Sequence, residues 1–228
     1  MRQIVLDTET TGLDPLAGHR IIEIGCIELV NQVPTSHTYH RYINPGREIT
    51  ADAVAVHGLT NAFLEKHPAF EEIVDEFLAF IGDDQLVIHN ADFDMRFLNA
   101  EVTRLGYPAF PPDRALCTLK MTRKKFPGAP ASLDALCARF KVDNSGRGLH
   151  GGLLDAQLLA EVYMELLGGR QAGLGLGDAP AVAVALLDDA PVQRRAARIH
   201  AASAEEAAAH AAMLAQLKAA MWLEAEAT

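Results

Sequence analysis

Residues 4–12 read IVLDTETTG: an apolar run, an acid, a threonine, a second acid, two threonines and a glycine. On a strand, residues i and i+2 share a face. Asp7 and Glu9 therefore stand side by side at the C-terminal end of a first strand predicted over residues 3–7. Two ionised carboxylates that close repel each other unless a cation or a proton lies between them. A solvated strand end entering a turn would carry the same pair. The apolar run before the acids and the small Thr-Thr-Gly loop after them, which lets a ligand approach the backbone, keep both readings in play.

The segments that follow say what kind of fold this strand enters. RIIEIGCIELV (20–30) alternates with period two and is rich in β-branched residues, and HTYHRYINP (37–45) ends at a proline, so the two extend an antiparallel meander. The period then changes. AFEEIVDEFLAFIGDD (69–84) is helical, QLVIHN (85–90) is a buried strand, and ADFDMRFLNAEVTRLG (91–106) is an amphipathic helix closed by Gly106. SLDALCARF (132–140) has a serine cap, and GGLLDAQLLAEVYMELLGG (151–169) is a helix framed by glycines. Strands followed by alternating helices and strands predict an α/β fold, a mixed sheet covered by helices. No internal repeat is present.

Composition shifts after Gly169. Residues 170–191 are rich in Gly, Ala and Pro without periodicity and read as a linker. Residues 192–228 are alanine-dense; Ser203 and Glu206 have capping-box spacing, and Met213, Leu214, Leu217, Met221 and Trp222 form an apolar stripe with no second domain to pack on.

The chain has 228 residues, 50% of them hydrophobic, and a net charge of -10, enough for one α/β domain with an appendage. The acidic balance argues against a free-standing nucleic-acid binder. It is compatible with an enzyme whose acids hold metal ions and whose substrate is delivered by a partner. Met1-Arg2-Gln3 leads straight into a strand and no apolar run approaches the ~20 residues that cross a bilayer, so a cytoplasmic protein without a leader or membrane contact is expected. Cys26, Cys117 and Cys137 are odd in number without CxxC spacing and read as buried reduced thiols.

Two further stretches place acids beside the first pair. In VIHNADFDMRF (87–97) Asp94 lies in the first turn of the helix that follows a buried strand, while the neighbouring Asp92 has an ordinary capping explanation. In LHGGLLDAQLL (149–159) His150 sits in the loop entering a helix and Asp155 in that helix's first turns, among Leu153, Leu154, Leu158 and Leu159. Alone, each has a structural reading, since an aspartate in a first turn serves the helix dipole. As a set, four acids from separated strand and helix ends can surround two divalent cations. Oxygen ligands suit Mg2+ or Mn2+, and paired metals ~3.5–4 Å apart serve phosphoryl transfer. A histidine beside them can take a proton from water.

DTETTG, VHGLT, VIHNADFD and HGGLLDAQLLAEVY together resemble the motifs of the DEDDh 3′-to-5′ exonucleases, with the histidine spacing and not the tyrosine spacing before the last acid. RQIVLDTETTG, HRIIEIGCIELVN and SLDALCARF are similar to the epsilon proofreading subunits of bacterial DNA polymerase III, over nearly all of residues 1–169. The resemblance implies a ribonuclease-H-like, mixed five-stranded sheet flanked by helices. It implies Asp7, Glu9, Asp94 and Asp155 as ligands of two Mg2+ or Mn2+ ions and His150 as general base. It also places Asp52, His57 and the backbone of Thr10 and Gly12 near the terminal nucleotide, alongside Asp7, Glu9 and Asp155. His89 and Asn90 are open between cleft wall and core. His19, His37, His40, His67, His200 and His210 are read as surface residues, and TRKKF (122–126) as a solvated helix end or a phosphate contact.

The resemblance further implies partners: the polymerase alpha subunit for the tail, and a theta-like subunit on the sheet. The sliding clamp is a candidate for QAGLGL through Gln171, Leu174 and Leu176, against a plain-linker reading. Frayed or single-stranded DNA 3′ ends are the expected substrate. The competing functions are a stand-alone ribonuclease T-like exonuclease, which should carry basic surface and no tail, and a catalytically inactive scaffold, against which all five core residues stand.

Overall fold

The computed structural model describes residues 1–169 and 201–216, which fall in two separate units. In the first, β1 (Arg2–Thr10), β2 (Ile21–Val30), β3 (Val33–Tyr42), β4 (Gln85–Ile88) and β5 (Ala115–Cys117) form one sheet in the order β3-β2-β1-β4-β5. The first three strands are an antiparallel meander, and β4 and β5 continue parallel to β1. This is the mixed five-stranded sheet expected. β5 itself is only three residues long, too short for a periodic signal.

The strand bounds differ from the sequence reading where pairing decides them. β1 runs on to Thr10 because it pairs with β2 along its whole length, with a register slip between Glu9 and Thr10. Asp7 and Glu9 thus lie inside a ladder, where their side-chain directions are fixed, and not past its end. β4 stops at Ile88 because Asn90 takes a left-handed conformation (φ 65°) as the N-cap of the next helix. Two short helices not anticipated, α1 (Ala51–His57) and α2 (Asn61–Leu64), follow the meander, each capped by a threonine side chain, Thr50 and Thr60.

The helices cover both faces. On one, α3 (Phe70–Ile81) and α4 (Ala91–Arg104) bury Phe77, Phe97 and Leu98 against Ile4 and Leu6 of β1. On the other, α5 (Thr118–Lys125), α6 (Leu133–Phe140) and α7 (Gly152–Leu167) enclose Val5, Leu136, Leu159 and Tyr163. Cys26 and Cys137 are buried free thiols and Cys117 is half-buried. Asp7 and Glu9 share the parity of Val5 on β1, so they project to the α7 side of the sheet.

Backbone contact sets how near α7 comes. Gly25 of β2 pairs with Asp7, and a Cβ built on Gly25 would lie 2.2 Å from the carbonyl carbon of Gly152. The first turn of α7 therefore rests on bare strand backbone, a position that admits no side chain.

The second unit contains α8 (Ala204–Leu214). Its capping box is formed as the sequence predicts: Glu206 N–H donates to Ser203 Oγ at 3.2 Å, and Ser203 N–H donates to Glu206 Oε2 at 2.8 Å. Met213 is exposed and Leu214 half-exposed. Gln171, Leu174, Leu176, Leu217, Met221 and Trp222 lie outside the described residues. Among the described residues, no helix is long and apolar enough to cross a membrane.

Candidate active site

The four acids singled out in the sequence converge on one open cleft of about 630 Å³, lined also by His89, Asn90, Phe93, Arg123, Asp134, Arg147 and His150. β1 supplies Asp7 and Glu9, the first turn of α4 supplies Asp94, and the first turn of α7 supplies Asp155. Asp94 and Asp155 are each 3% exposed and Glu9 9%. Asp94 is fixed by Thr8, whose Oγ1 donates to its Oδ1 at 2.7 Å and whose N–H donates at 3.2 Å. One oxygen each of Glu9 and Asp155 and a ring nitrogen of His150 lie within 4.8 Å of one another.

So many acids in so little water cannot all keep their charge unaided. Burial first, then the charges of Asp94, Glu9, Asp155 and Glu23, hold the Asp7 carboxyl well above the usual carboxylate range. Burial and the charges of Asp155, Glu23 and Asp94 push Glu9 up to about 8, against a smaller opposing pull from Arg147. Asp94 is raised by burial too, with the Thr8 bonds working the other way. A buried carboxylate cluster on three rigid elements, all oxygen donors, fits hard divalent cations.

Three participants carried no sequence signal strong enough to name them. Glu23 on β2 faces Glu9 across the ladder, is 3% exposed, and bonds His40 Nε2 at 2.7 Å. Asp134, capping-turn acid of α6, reaches the cleft from outside. Arg147, in the loop before α7, donates from Nε to Asp155 Oδ1 and from Nη2 to Asp155 Oδ2, both at 2.6 Å, and from Nη1 to Asp134 at 2.5 Å. Burial disfavours its charge, yet the bonds to Asp155 and Asp134 outweigh that and hold its pKa above the ordinary arginine value.

A second cavity of about 460 Å³ adjoins the first, sharing Thr8, Glu9 and Phe93 with it, and is lined by Thr10, Gly12, Leu13, Asp52, Val56 and His57. Of the residues assigned to the terminal nucleotide, Glu9, Thr10, Gly12, Asp52 and His57 border this cavity, while Asp7 and Asp155 line the first. His57 is buried at the end of α1; its Nδ1 accepts from Leu59 N–H at 3.0 Å, while its Nε2 has no hydrogen-bond partner. Burial lowers its pKa, with the charge of Glu23 and the Thr10 backbone working the other way.

Other residues correct the sequence reading. His19, His40 and His67 are half-buried: His19 bonds Thr11, His40 bonds Glu23, and His67 packs on Tyr42 of β3 and Phe63 of α2. His37 and His210 are exposed as expected, and His200 lies outside the described residues. His89 lines the cleft and is also bonded, Nδ1 to Thr118 Oγ1 at 2.9 Å, so both of its open readings apply. Asp92 does not cap; it pairs with Lys120 at 2.9 Å. The basic cluster is the end of α5, where Arg123 reaches the cleft while Lys125 donates to the Leu166 carbonyl at 2.7 Å.

This constellation has relatives. A family described as exonuclease, RNase T, matches residues 4–163. The DNA polymerase III subunit epsilon of Rickettsia felis is 55% identical over 181 residues, 78% of this chain and 79% of its own. The chain belongs to the epsilon exonucleases. The Escherichia coli epsilon subunit is 48% identical over 177 residues, covering 74% of this chain and 72% of that one. Among solved structures, exonuclease X in complex with 5′ overhanging duplex DNA matches with a TM-score of 0.59 and 27% identity over 72% of this chain and 90% of that one. The nuclease domain of 3′hExo, a DEDDh member bound to rAMP, shares the fold at a TM-score of 0.63 and 20% identity, over 73% and 91% of the two chains. As an epsilon exonuclease the chain is a DEDDh-type 3′-to-5′ proofreading enzyme, and dependence on a divalent metal comes with that family.

Proposed function

We propose that Asp7, Glu9, Asp94 and Asp155 hold two divalent cations, Mg2+ or Mn2+, and that His150 is the general base in removing mispaired 3′-terminal nucleotides as 5′-monophosphates. The observation that carries the reading is the convergence of four carboxylates from three elements on one cleft, with His150 at its rim. Bound there, the cations would supply Lewis-acid stabilisation of the attacking and leaving oxygens of the phosphodiester. The chain's own contribution is positioning. β1 and α7 hold three of the acids on rigid backbone, Thr8 orients Asp94, and His150, 47% exposed at its side chain, stands on the solvent side from which a water comes.

The neighbouring cavity takes the terminal nucleotide. His57 lines it, Thr10 and Gly12 offer backbone, and Asp52 stands at the rim. A mispaired end reaches this cavity more readily because less pairing energy is lost in unstacking it. The assembly is that of a replicative DNA polymerase III in the cytoplasm. In this reading residues 1–169 are the exonuclease domain, residues 170–191 a linker with a weak clamp-binding peptide at Gln171, Leu174 and Leu176, and residues 192–228 the alpha-binding segment. A theta-like subunit on the sheet belongs to the same proposal. Tethering to a polymerase supplies a high local concentration of primer ends to a protein of net charge -10.

The test is hydrolysis of a 3′-labelled single strand in Mg2+. Asp7→Ala is expected to abolish it with the fold intact, and His150→Ala to slow it by about 10²–10⁴-fold, the share of a general base. A fully active Asp7→Ala enzyme overturns the metal assignment. Removal of residues 180–228 should leave that hydrolysis unchanged and end co-elution with alpha.

A further inference from the structure

The proposed site needs both oxygens of Asp155 and a free ring nitrogen of His150, and in this structure Arg147 occupies all three. Its guanidinium donates to Oδ1 and Oδ2 of Asp155 at 2.6 Å each and to His150 Nδ1 at 2.8 Å. A guanidinium is a donor only, so Nδ1 must be the accepting nitrogen and its lone pair is engaged. Asp134 bonds the remaining Nη1 from the far side at 2.5 Å. The Arg147 and Asp155 side chains are 7% and 3% exposed, so their pair lies away from water, while Asp134 and His150 face solvent. Among the described residues, no other guanidinium or ammonium group bonds any of the four acids. Arg147 stands between Gly146 and Gly148, at which an added Cβ would meet nothing within 4 Å.

Resting on the metal-site reading above, we infer that Arg147 is an internal placeholder cation: it neutralises Asp155 and engages His150 until a divalent ion displaces it. The forked geometry on a carboxylate is a strong, charge-assisted pair, and it engages both oxygens a cation would use. Divalent binding is then an exchange of one cation for another, and the same exchange frees His150 Nδ1. Arg147 acts as a positioning residue, setting how tightly the site takes metal and when the histidine is available.

The exchange is read by titrating Mn2+ into the full-length chain without DNA, following free Mn2+ by electron paramagnetic resonance, with thermal melts of the metal-free and saturated proteins. Arg147→Gln is expected to bind Mn2+ about tenfold more tightly, the factor that one hydrogen bond to a charged group is worth when it no longer has to be given up. It should melt below the wild type without metal and level with it when saturated. Arg147→Lys, which keeps the charge and loses the fork, should fall between. Unchanged or weaker Mn2+ binding by both variants overturns the placeholder role and leaves the metal site standing, as does a melting deficit that persists at saturation. Uptake of Mn2+ by neither wild type nor variants overturns both readings. Wild-type binding that survives Asp7→Asn counts against the metal-site reading in particular.

Discussion

Replacing Gly25 by alanine should cripple the site from beneath, without touching any acid. The new Cβ would lie 2.2 Å from Gly152 C and Leu153 N and 2.3 Å from Gly152 O, where ordinary contact begins near 3.4 Å. The obstacles are backbone atoms and cannot swing aside, so α7 must recede from the sheet by about 1.2 Å, the shortfall between these distances. Asp155 rides on the first turn of α7, opposite Asp7 and Glu9. Misplacement of a reacting group by about 1 Å costs roughly 10²-fold in rate, and overpacking a filled site costs about 1–3 kcal/mol. At about 2–4 °C per kcal/mol for a chain of this size, the melting temperature should drop by about 2–12 °C. The assay is kcat/KM on a 3′-labelled single strand beside a calorimetric melt. Gly152→Ala, whose Cβ would sit 3.1 Å from Gly25 N, should lose less, and Gly151→Ala, with nothing within 4 Å, should stay near wild type. A Gly25→Ala enzyme with unaltered rate and melting temperature would refute the argument that strand–helix backbone contact positions Asp155.

Two more outcomes follow from the same geometry. Thr8→Val removes the 2.7 Å hydroxyl bond to Asp94 and keeps the backbone one; the loss of one bond to a charged group, about 1.5–3 kcal/mol, should lower kcat and weaken Mn2+ binding together, read by kinetics and titration. Because the folded protein holds the Glu9 proton more tightly than the unfolded chain does, Glu9 stabilises the metal-free protein fully below 4.5. That contribution is lost as pH rises to about 8. Melting temperature in EDTA should therefore fall across that window, and saturating Mg2+ should flatten the slope; an EDTA profile that rises would contradict the buried, mutually repelling cluster.

The acids were legible because each sits where periodicity says something definite. Asp7 and Glu9 follow a short apolar run, and Asp94 and Asp155 open helices; each alone has a structural reading, and the set points to metal. The sheet order was less legible. β5 has three residues, below any periodic signal, and its place comes from pairing with β4. Arg147 lay in NSGRGLH, a glycine-rich loop where an arginine is ordinary; only the fold of that loop over the start of α7 brings it onto Asp155. Gly25 reads in sequence as a weak point in a strand, and its purpose is visible only once Gly152 lies against it. Glu23 and His40 were hidden for the same reason, since cross-strand register, not local pattern, sets one beside Glu9 and the other beside Glu23.

The central claim is that the four carboxylates and His150 form one metal-dependent centre acting on DNA 3′ ends. It is tested most directly by incubating the full-length protein with matched and mismatched 3′-terminal primers in Mg2+, with and without purified alpha subunit, and identifying the released products by mass. The account predicts 5′-monophosphates leaving from the 3′ end, faster from the mismatch and faster still with alpha, with no release in EDTA or from Asp155→Asn. Release that persists in EDTA, or that is unaffected by Asp155→Asn, would contradict it.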